Sequence, residues 1–449
     1  MTFILRGKEF DLSTVKGKSK MNKNLTFKEL LAIAIGGMVG GGIFTILGIS
    51  VAMVGTLAPF AIALGGVVAW FAAYSYVKLG VYYKDEGATY SFFKRTYPTS
   101  SLAASVIGWY TIFGYISTLA LYAYTFSSYA LSGFEFSYID LFRKLLAVSI
   151  IAIFATINIW SVKGMGQIED IMVYAKLIIL FIISVVLISF SKIDFPNFIT
   201  MIHDDIQTTP IMSILIVSSI TFVAYEGFQL VINAVNEMEK PDINIPKAIY
   251  SAIILVALIY FIIALSAVLA IPAEDLILNK ESALATGAGE IMGNLGQNLV
   301  IFGAILATSS AINSTLFGSS RQMAKISEDG YLPRIISLRS NNIPKNAIIT
   351  MSIIASFLIL VGGLRLILEF GSITFLLVSL LMSIANFKIR KKTKSSFYIT
   401  IISMIGLFMG TLFILYYELI NQPQQLIFIG VLYGILSFGA WGYAKRNRL

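Results

Sequence analysis

A glycine run inside the first long apolar segment limits what this chain can fold into. Five of the seven positions 36–42 are glycine, and Ile43 and Phe44 follow directly. Each glycine costs a helix about 1 kcal/mol relative to alanine, so a regular helix is not expected to continue through the run. If the segment crosses a membrane, its broken backbone must face protein or a water-filled cavity. The run therefore predicts unpaired amides and carbonyls that are available to a ligand.

Composition places this segment in a membrane. Hydrophobic residues make up 57% of the chain and charged residues only 13%, with a mean hydropathy of +0.82. Soluble proteins are about 25% charged, and a membrane span needs about 20 apolar residues. The chain is predicted to be an all-α integral membrane protein with about 12 transmembrane helices. They lie near 28–54, 58–82, 102–132, 143–160, 168–190, 211–236, 246–270, 298–325, 346–362, 366–387, 397–417 and 424–444.

The positive charges predict the orientation, because Lys and Arg near span ends stay on the cytoplasmic side. With the amino terminus inside, about 27 of the 33 Lys and Arg residues fall on the cytoplasmic side. We expect a multi-pass protein of the plasma membrane with a cytoplasmic arm at 1–27 and both termini in the cytoplasm. Because this topology accounts for the net charge of +9, no nucleic-acid partner is expected.

Residues that could carry enzyme chemistry are scarce. The chain has no cysteine and one histidine, His203, which is predicted in an external loop. No paired Asp or Glu residues are predicted inside the membrane, so metal chemistry and acid–base hydrolysis lack their groups. We predict that the protein is not an enzyme and needs no metal or cofactor.

A second interrupted span, the sixth, contains Glu226 and Gly227 in an otherwise apolar segment. An ionisable residue inside a span is by default a functional-site candidate. Spans one and six start five spans apart and so run in opposite directions, which predicts a five-plus-five inverted repeat with discontinuous helices 1 and 6. The repeats are assigned to 28–190 and 211–388, with two further helices within 396–445. All ten prolines are placed at span ends or in loops, so glycine makes the interior breaks.

The break in span one predicts an anion site without a basic side chain. Free amides at the start of its outer half, with the helix dipole, favour a small carboxylate. The candidate residues are Gly40, Gly41, Gly42 and Ile43. Close packing of small residues is the alternative, and the ligand role is favoured because the glycines occupy every face of the helix.

The break in span six predicts the complementary half of the site. Free carbonyls at the end of its first half carry partial negative charge and suit an ammonium group. The two breaks together match an amino acid. Phe222 either caps the substrate or packs structurally, and Glu226 either binds a cation or proton or braces the broken backbone. The candidate residues are Phe222, Val223, Ala224, Tyr225, Glu226 and Gly227.

Lys176 lies deep in span five. A lone cation at that depth costs several kcal/mol unless it is paired, hydrated or neutral, so Lys176 is expected to release its proton readily. Its expected partners are Ser309, Ser310 and the carbonyl of Gly37 or its neighbours. A snorkelling or purely structural lysine is the alternative.

Several short motifs follow one another along the chain. They are VGGGIF at 39–44 with Gly48, GATY at 87–90 and KRTY at 94–97, EMEKP at 237–241 and NIPKAI at 244–249, and DGYLP at 329–333 and IPKNA at 343–347. These motifs resemble those of the amino acid-polyamine-organocation superfamily of permeases. The resemblance implies the inverted-repeat fold with a central amino-acid site. Lysine in the fifth helix resembles the prokaryotic sodium-independent, proton-coupled members, where that residue is thought to replace a sodium ion. Glu226 departs from the more usual neutral residue.

The expected function is therefore amino-acid import by alternating access, with protons as the coupling ion and Lys176 as the proton carrier. An amino-acid or polyamine exchanger on the same fold is the main alternative, and a non-transporting sensor is another. The expected partners are an amino-acid substrate, protons and the lipid bilayer. The substrate side chain and the oligomeric state are left open.

Overall fold

The computed structural model describes residues 25–446 except 133, 135–137, 161, 192, 237, 279–281 and 341–342, so most of the arm predicted at 1–27 and Glu237 of the loop motif lie outside the described residues. Within this part the chain is almost entirely helical and forms no β-strand. The α-helices are α1 (Phe27–Met38), α2 (Gly42–Val54), α3 (Ala58–Tyr83), α4 (Ala88–Thr96), α5 (Ser101–Ala130), α6 (Ile139–Trp160), α7 (Val162–Ser189), α8 (Phe195–Thr208), α9 (Ile211–Thr221), α10 (Leu230–Asn233), α11 (Pro241–Ala270), α12 (Ala273–Leu278), α13 (Ala283–Glu328), α14 (Lys345–Val361), α15 (Leu364–Lys388), α16 (Arg390–Thr393), α17 (Phe397–Asn421) and α18 (Pro423–Arg446).

These helices match the twelve predicted spans. In the described part of the chain, ten helical stretches are long and apolar enough to cross a membrane. One of them includes both α2 and α3, and α14 is a further apolar helix of 17 residues. With α1–α2 and α9–α10 counted as interrupted passes, the total is twelve. The all-α membrane architecture with discontinuous first and sixth passes is confirmed, while the inverted relation of 28–190 to 211–388 stays a prediction.

Local sequence explains several helix ends. Thr26 and Glu29 form a capping box at the start of α1, in which the Thr26 amide donates to Glu29 Oε2 at 2.9 Å. The Ser100 side chain caps α5 by accepting from the Ala103 amide. The placement of all prolines at span ends or in loops is wrong for Pro246, because α11 begins at Pro241 and Pro246 lies inside it. The expected loop position of His203 is also wrong, since it lies on the exposed helix α8.

The interrupted helices lie at the centre of the bundle. Helix α3 packs against α11, α5 packs against α13 and α15, and α7 packs against α11 and α13. Helix α1 lies against α11 and α13, so its end is enclosed by other helices. By contrast, α17 and α18 expose large apolar side chains such as Tyr398, Ile427 and Phe438, as expected for lipid-facing helices. The two breaks are therefore separated from lipid by protein.

The backbones of the two breaks touch each other. Gly227 adopts φ +128°, a conformation that L side chains rarely adopt. A Cβ atom built on Gly227 would lie 2.5 Å from the carbonyl carbon of Gly37 and 2.7 Å from the amide nitrogen of Met38. Glycine is thus required at position 227 both by backbone conformation and by space.

We expect Gly227→Ala to lower the melting temperature of the purified protein by several degrees or to prevent its accumulation. The backbone strain alone costs about 1–3 kcal/mol, and the contact with Gly37 adds to it. Thermal unfolding in detergent, followed by size-exclusion chromatography, measures the effect. Gly434→Ala is the matched control, because a Cβ there meets nothing within 4 Å and helical alanine is favourable. Equal melting temperatures for the two variants would contradict the described contact.

Candidate functional site

The break in the first pass covers only a few residues. Helix α1 ends at Met38, and Val39 leaves the helical conformation with φ −80° and ψ 83°. The Gly40 amide donates to the Met38 carbonyl at 2.9 Å instead of to Gly36, its partner in a continuous helix. Helix α2 then begins at Gly42. The first half of the pass therefore ends in carbonyls that have lost their helical partners, and the second half begins with free amides.

The amides at the start of α2 are potential anion donors. The Thr45 amide donates to the Gly41 carbonyl at 3.1 Å, whereas the amides of Gly42, Ile43 and Phe44 form no hydrogen bond with any group in the described part of the chain. All of these residues are buried. Because the first turn of a helix carries partial positive charge, this end of α2 can bind a carboxylate.

The glycines of the run also permit close packing. A Cβ on Gly40 would lie 2.5 Å from Ala311 Cβ, and one on Gly42 would lie 2.7 Å from Ala224 Cβ. A Cβ on Gly41 would lie 2.7 Å from Thr125 Oγ1. Three different helices or turns thus approach the run on three faces. The packing role that was weighed against the ligand role is present, and the ligand role stays a prediction.

The break in the sixth pass combines a tight turn with an extended residue. Phe222–Tyr225 forms a 3-10 turn after α9, and Glu226 is extended with φ −72° and ψ 142°. The Val223 carbonyl accepts from the Glu226 amide at 3.1 Å. The predicted candidates Phe222, Val223, Ala224 and Tyr225 are all buried. Their side chains and those of the α2 start lie in the closed interior, out of contact with solvent.

Glu226 has one bound and one free carboxylate oxygen. The Gln229 side-chain amide donates to Glu226 Oε2, and Gln229 Oε1 accepts from the Gly227 amide at 3.2 Å. The buried Oε1 of Glu226 has no hydrogen-bond partner among the described groups. Glu226 therefore does brace the broken backbone through Gln229, while the alternative role as the partner of a cation or proton stays a prediction.

Two tyrosines that the sequence did not identify as candidates contact backbone carbonyls at the broken ends of the helices. Tyr260 on α11 points its hydroxyl at both breaks, with the Met38 carbonyl at 2.7 Å and the Ala224 carbonyl at 3.1 Å. Tyr122 on α5 donates to the Gly37 carbonyl at 3.2 Å. A tyrosine hydroxyl therefore connects the first pass to the sixth, and a second one holds the end of α1 against α5.

Lys176 is fully buried and contacts the end of α1. Its Nζ donates to the Gly36 carbonyl at 3.1 Å, to the Val39 carbonyl at 2.8 Å and to Ser310 Oγ at 2.9 Å. The predicted partner Ser310 is thus in contact.

The expected bond to the carbonyl of Gly37 or its neighbours is found at the neighbours Gly36 and Val39, whereas the Gly37 carbonyl itself accepts from Tyr122. Ser309 forms no bond to Lys176 among the described groups. Residues 309 and 310 are about 100° apart around the helix, so only one of them faces α7.

Ser310 also connects Lys176 to Glu169, an acidic residue that sequence reasoning missed. The Ser310 hydroxyl donates to Glu169 Oε1 at 2.6 Å, and Asn313 Nδ2 donates to Glu169 Oε2 at 2.9 Å. The sequence does offer one signal for Glu169. It precedes Lys176 by seven residues, and residues seven apart lie on the same face of a helix.

Broken helices that bring free amides and carbonyls together inside a membrane bundle are characteristic of transporters, and this fold and site define that class rather than an enzyme. A family model described as "Amino acid permease" matches residues 25–436, so the chain belongs to the amino acid permease family.

The chain is also similar to individual proteins, two of which carry transporter names. An uncharacterised protein of Methanocaldococcus jannaschii is 27% identical over 93% of this chain and 94% of its own length. The inner membrane transport protein YbaT of Escherichia coli is 29% identical over 93% and 92% of the two chains. The serine/threonine exchanger SteT of Bacillus subtilis is 24% identical over 70% of each chain.

We expect Tyr260→Phe to slow amino-acid uptake strongly and to lower the melting temperature. The substitution removes the shared donor of the Met38 and Ala224 carbonyls, and an unsatisfied buried polar group costs about 1–3 kcal/mol. Uptake into proteoliposomes and thermal unfolding measure the two effects. Tyr398→Phe on the exposed surface is the matched control. If both variants behave like the unmodified protein, the hydroxyl bridge has no importance for the breaks.

Proposed function

We propose that this protein is a secondary active transporter that imports amino acids by alternating access, driven by protons and independent of sodium. It acts in the plasma membrane with both termini in the cytoplasm. The observation that carries the proposal is the contact of the buried Lys176 ammonium with the two carbonyls at the end of α1. In this position the ammonium replaces a coupling metal cation.

The charge of Lys176 makes this contact sensitive to the proton. A lysine ammonium has three N–H donors, and Lys176 has three acceptors in Gly36, Val39 and Ser310. Hydrogen bonds from a charged donor are about twice as strong as those between neutral groups, so loss of the proton weakens the bonds to the two carbonyls of the first pass. Deprotonation therefore weakens the attachment of the first pass to α7. This is the link between the proton and the movement of the substrate site.

The substrate is assigned to the free backbone groups of the two breaks. Its carboxylate binds the amides at Gly41, Gly42 and Ile43. The predicted donor Gly40 is not free, because its amide donates to the Met38 carbonyl. The ammonium of the substrate binds the acceptors between Phe222 and Gly227. The free Oε1 of Glu226 is the strongest of these acceptors. Because the candidate residues are buried from both sides, substrate entry and release require the helices to move, as alternating access demands.

Amino-acid exchange is the second candidate function. The observation that supports exchange is a relative named as a serine/threonine exchanger, which is 24% identical to this chain. The two functions differ in one requirement. An exchanger takes up labelled substrate only when the vesicle interior already contains substrate, whereas a proton-coupled importer also fills empty vesicles when a pH gradient is applied.

We expect Lys176→Ala to abolish the stimulation of uptake by an inward proton gradient. Without the Lys176 amine of α7, the end of α1 loses the cation that binds its carbonyls, so uptake should no longer vary with external pH. Initial rates in proteoliposomes at a series of external pH values measure this dependence. Lys391→Ala, at an exposed position, is the matched control. An unchanged pH dependence in Lys176→Ala would remove the lysine from the coupling mechanism.

Sodium replacement tests the coupling ion separately. Because the lysine ammonium occupies the cation position, we expect the same initial uptake rate in sodium and in choline buffers at equal pH. The proteoliposomes are prepared in choline buffer, and the initial rate is measured after dilution into sodium or choline buffer of the same pH. A large fall in uptake in choline would contradict sodium independence, even if Lys176 proves essential.

A further inference from the structure

The hydrogen bonds of Lys176 continue beyond Ser310 to a carboxylate. Ser310 Oγ accepts from Lys176 Nζ at 2.9 Å and donates its own hydrogen to Glu169 Oε1 at 2.6 Å. Both distances lie in the ordinary range for strong hydrogen bonds. A continuous series of donors and acceptors thus joins the ammonium to the carboxylate through one hydroxyl.

Glu169 lies on the same helix as Lys176, α7, and is closer to the start of that helix. Seven residues of helix separate the two, which corresponds to about 10 Å along the axis. In the proposed orientation this direction leads to the cytoplasm. Glu169 keeps 7% of its surface exposed and Lys176 none. A proton on Glu169 is therefore closer to cytoplasmic water than one on Lys176.

The arrangement is not what simple charge neutralisation requires. A carboxylate that only stabilised the buried ammonium would be expected to contact it directly, because the attraction falls with distance. Here a serine lies between the two groups. The other carboxylate oxygen accepts from Asn313, and Asn313 Oδ1 in turn accepts from Asn158 Nδ2 at 2.9 Å. Two amides thus hold the carboxylate in a fixed position opposite the hydroxyl.

Among the described side chains of α7, Tyr174 is exposed, and Glu169 is the charged group that the Ser310 hydroxyl connects to Lys176. Helices α1, α6, α11 and α13 pack against α7. Their titratable or charged residues are Lys28, Glu29, Asp140, Arg143, Lys144, Asp242, Lys247, Tyr250, Tyr260, Glu290, Arg321, Lys325 and Glu328. Of these, Tyr260 is bonded to the end of α1, through the Met38 carbonyl.

We propose that Glu169 is the first acceptor of the proton that Lys176 releases, and that Ser310 relays it. The inference rests on the proposed proton-coupled function and adds the route by which the proton leaves. A proton passes from the Lys176 ammonium to Ser310 Oγ while the Ser310 hydroxyl proton passes to the Glu169 carboxylate. The products are a neutral amine, an unchanged serine and a neutral carboxylic acid. The acid then releases the proton to cytoplasmic water and returns to the carboxylate.

The test compares net proton-driven uptake with exchange in the same proteoliposomes. Glu169→Gln keeps the length of the side chain and an oxygen that can accept from Ser310, but it cannot take up a proton. Ser310→Ala removes the relay hydroxyl. For both variants we expect proton-driven uptake to fall about tenfold or more, as is typical when a proton-transfer group is lost. Counterflow, which needs no net proton release, is expected to persist in Glu169→Gln.

The controls separate the relay from other effects. Glu274→Gln makes the same chemical change at an exposed external position and is expected to behave like the unmodified protein. Full proton-driven uptake in Glu169→Gln would overturn the proposal. An equal loss of uptake and counterflow would also overturn it, because it would assign Glu169 a structural role. If the unmodified protein itself shows no proton-driven uptake, the proposed function fails first and the relay fails with it.

Discussion

The attachment of the Lys176 ammonium to the end of α1 is the interaction on which the rest of the site depends. A helix break inside a membrane leaves carbonyls without partners, and no lipid can supply the missing donors. The carbonyls of Gly36 and Val39 lose their helical partners at this break, and the Lys176 ammonium donates a hydrogen bond to each of them. The same nitrogen also bonds α13 through Ser310. A single cation thus stabilises the break and joins three passes.

The remaining carbonyls at the break are held by hydroxyl groups from other helices. Tyr122 bonds Gly37, and Tyr260 bonds Met38 together with Ala224 of the sixth pass. The end of α1 is therefore tied to α5, α7, α11 and α13 at once. Because a change in one bond alters the balance of the others, the first pass is expected to move as a unit when Lys176 changes its charge.

Sequence patterns predict the two helical breaks and the importance of Lys176, but they do not predict which groups contact them. The glycine run and Glu226–Gly227 identify both breaks because helix propensity and membrane depth are local properties. Which carbonyls face Lys176 depends on the residue at which α1 ends and on the turn at Val39, so the sequence predicts a bond to Gly37 or its neighbours without specifying Gly36 and Val39. Ser309 and Ser310 are indistinguishable until the rotation of α13 is known.

The residues that sequence reasoning missed fall into two groups. Tyr122 and Tyr260 are two of 22 tyrosines, and their partners lie on other helices, so no local pattern marks them. Glu169 lies seven positions before Lys176 on the same helix, where helical spacing offers a signal, whereas Gln229 contacts Glu226 across broken backbone, where helical spacing does not apply. Family resemblance directs attention to the glycines and the lysine, while the contacts of Glu169 come from the assembled helices.

The central claim is that amino-acid entry carries protons and not sodium. The most direct test is to enclose a pH-sensitive dye in sodium-free proteoliposomes and to add amino acid outside without an imposed pH gradient. We expect the interior to acidify at a rate that follows the uptake of labelled amino acid, and to stay constant in Lys176→Ala. Uptake of labelled amino acid into empty vesicles without any acidification would contradict the proton-coupled mechanism.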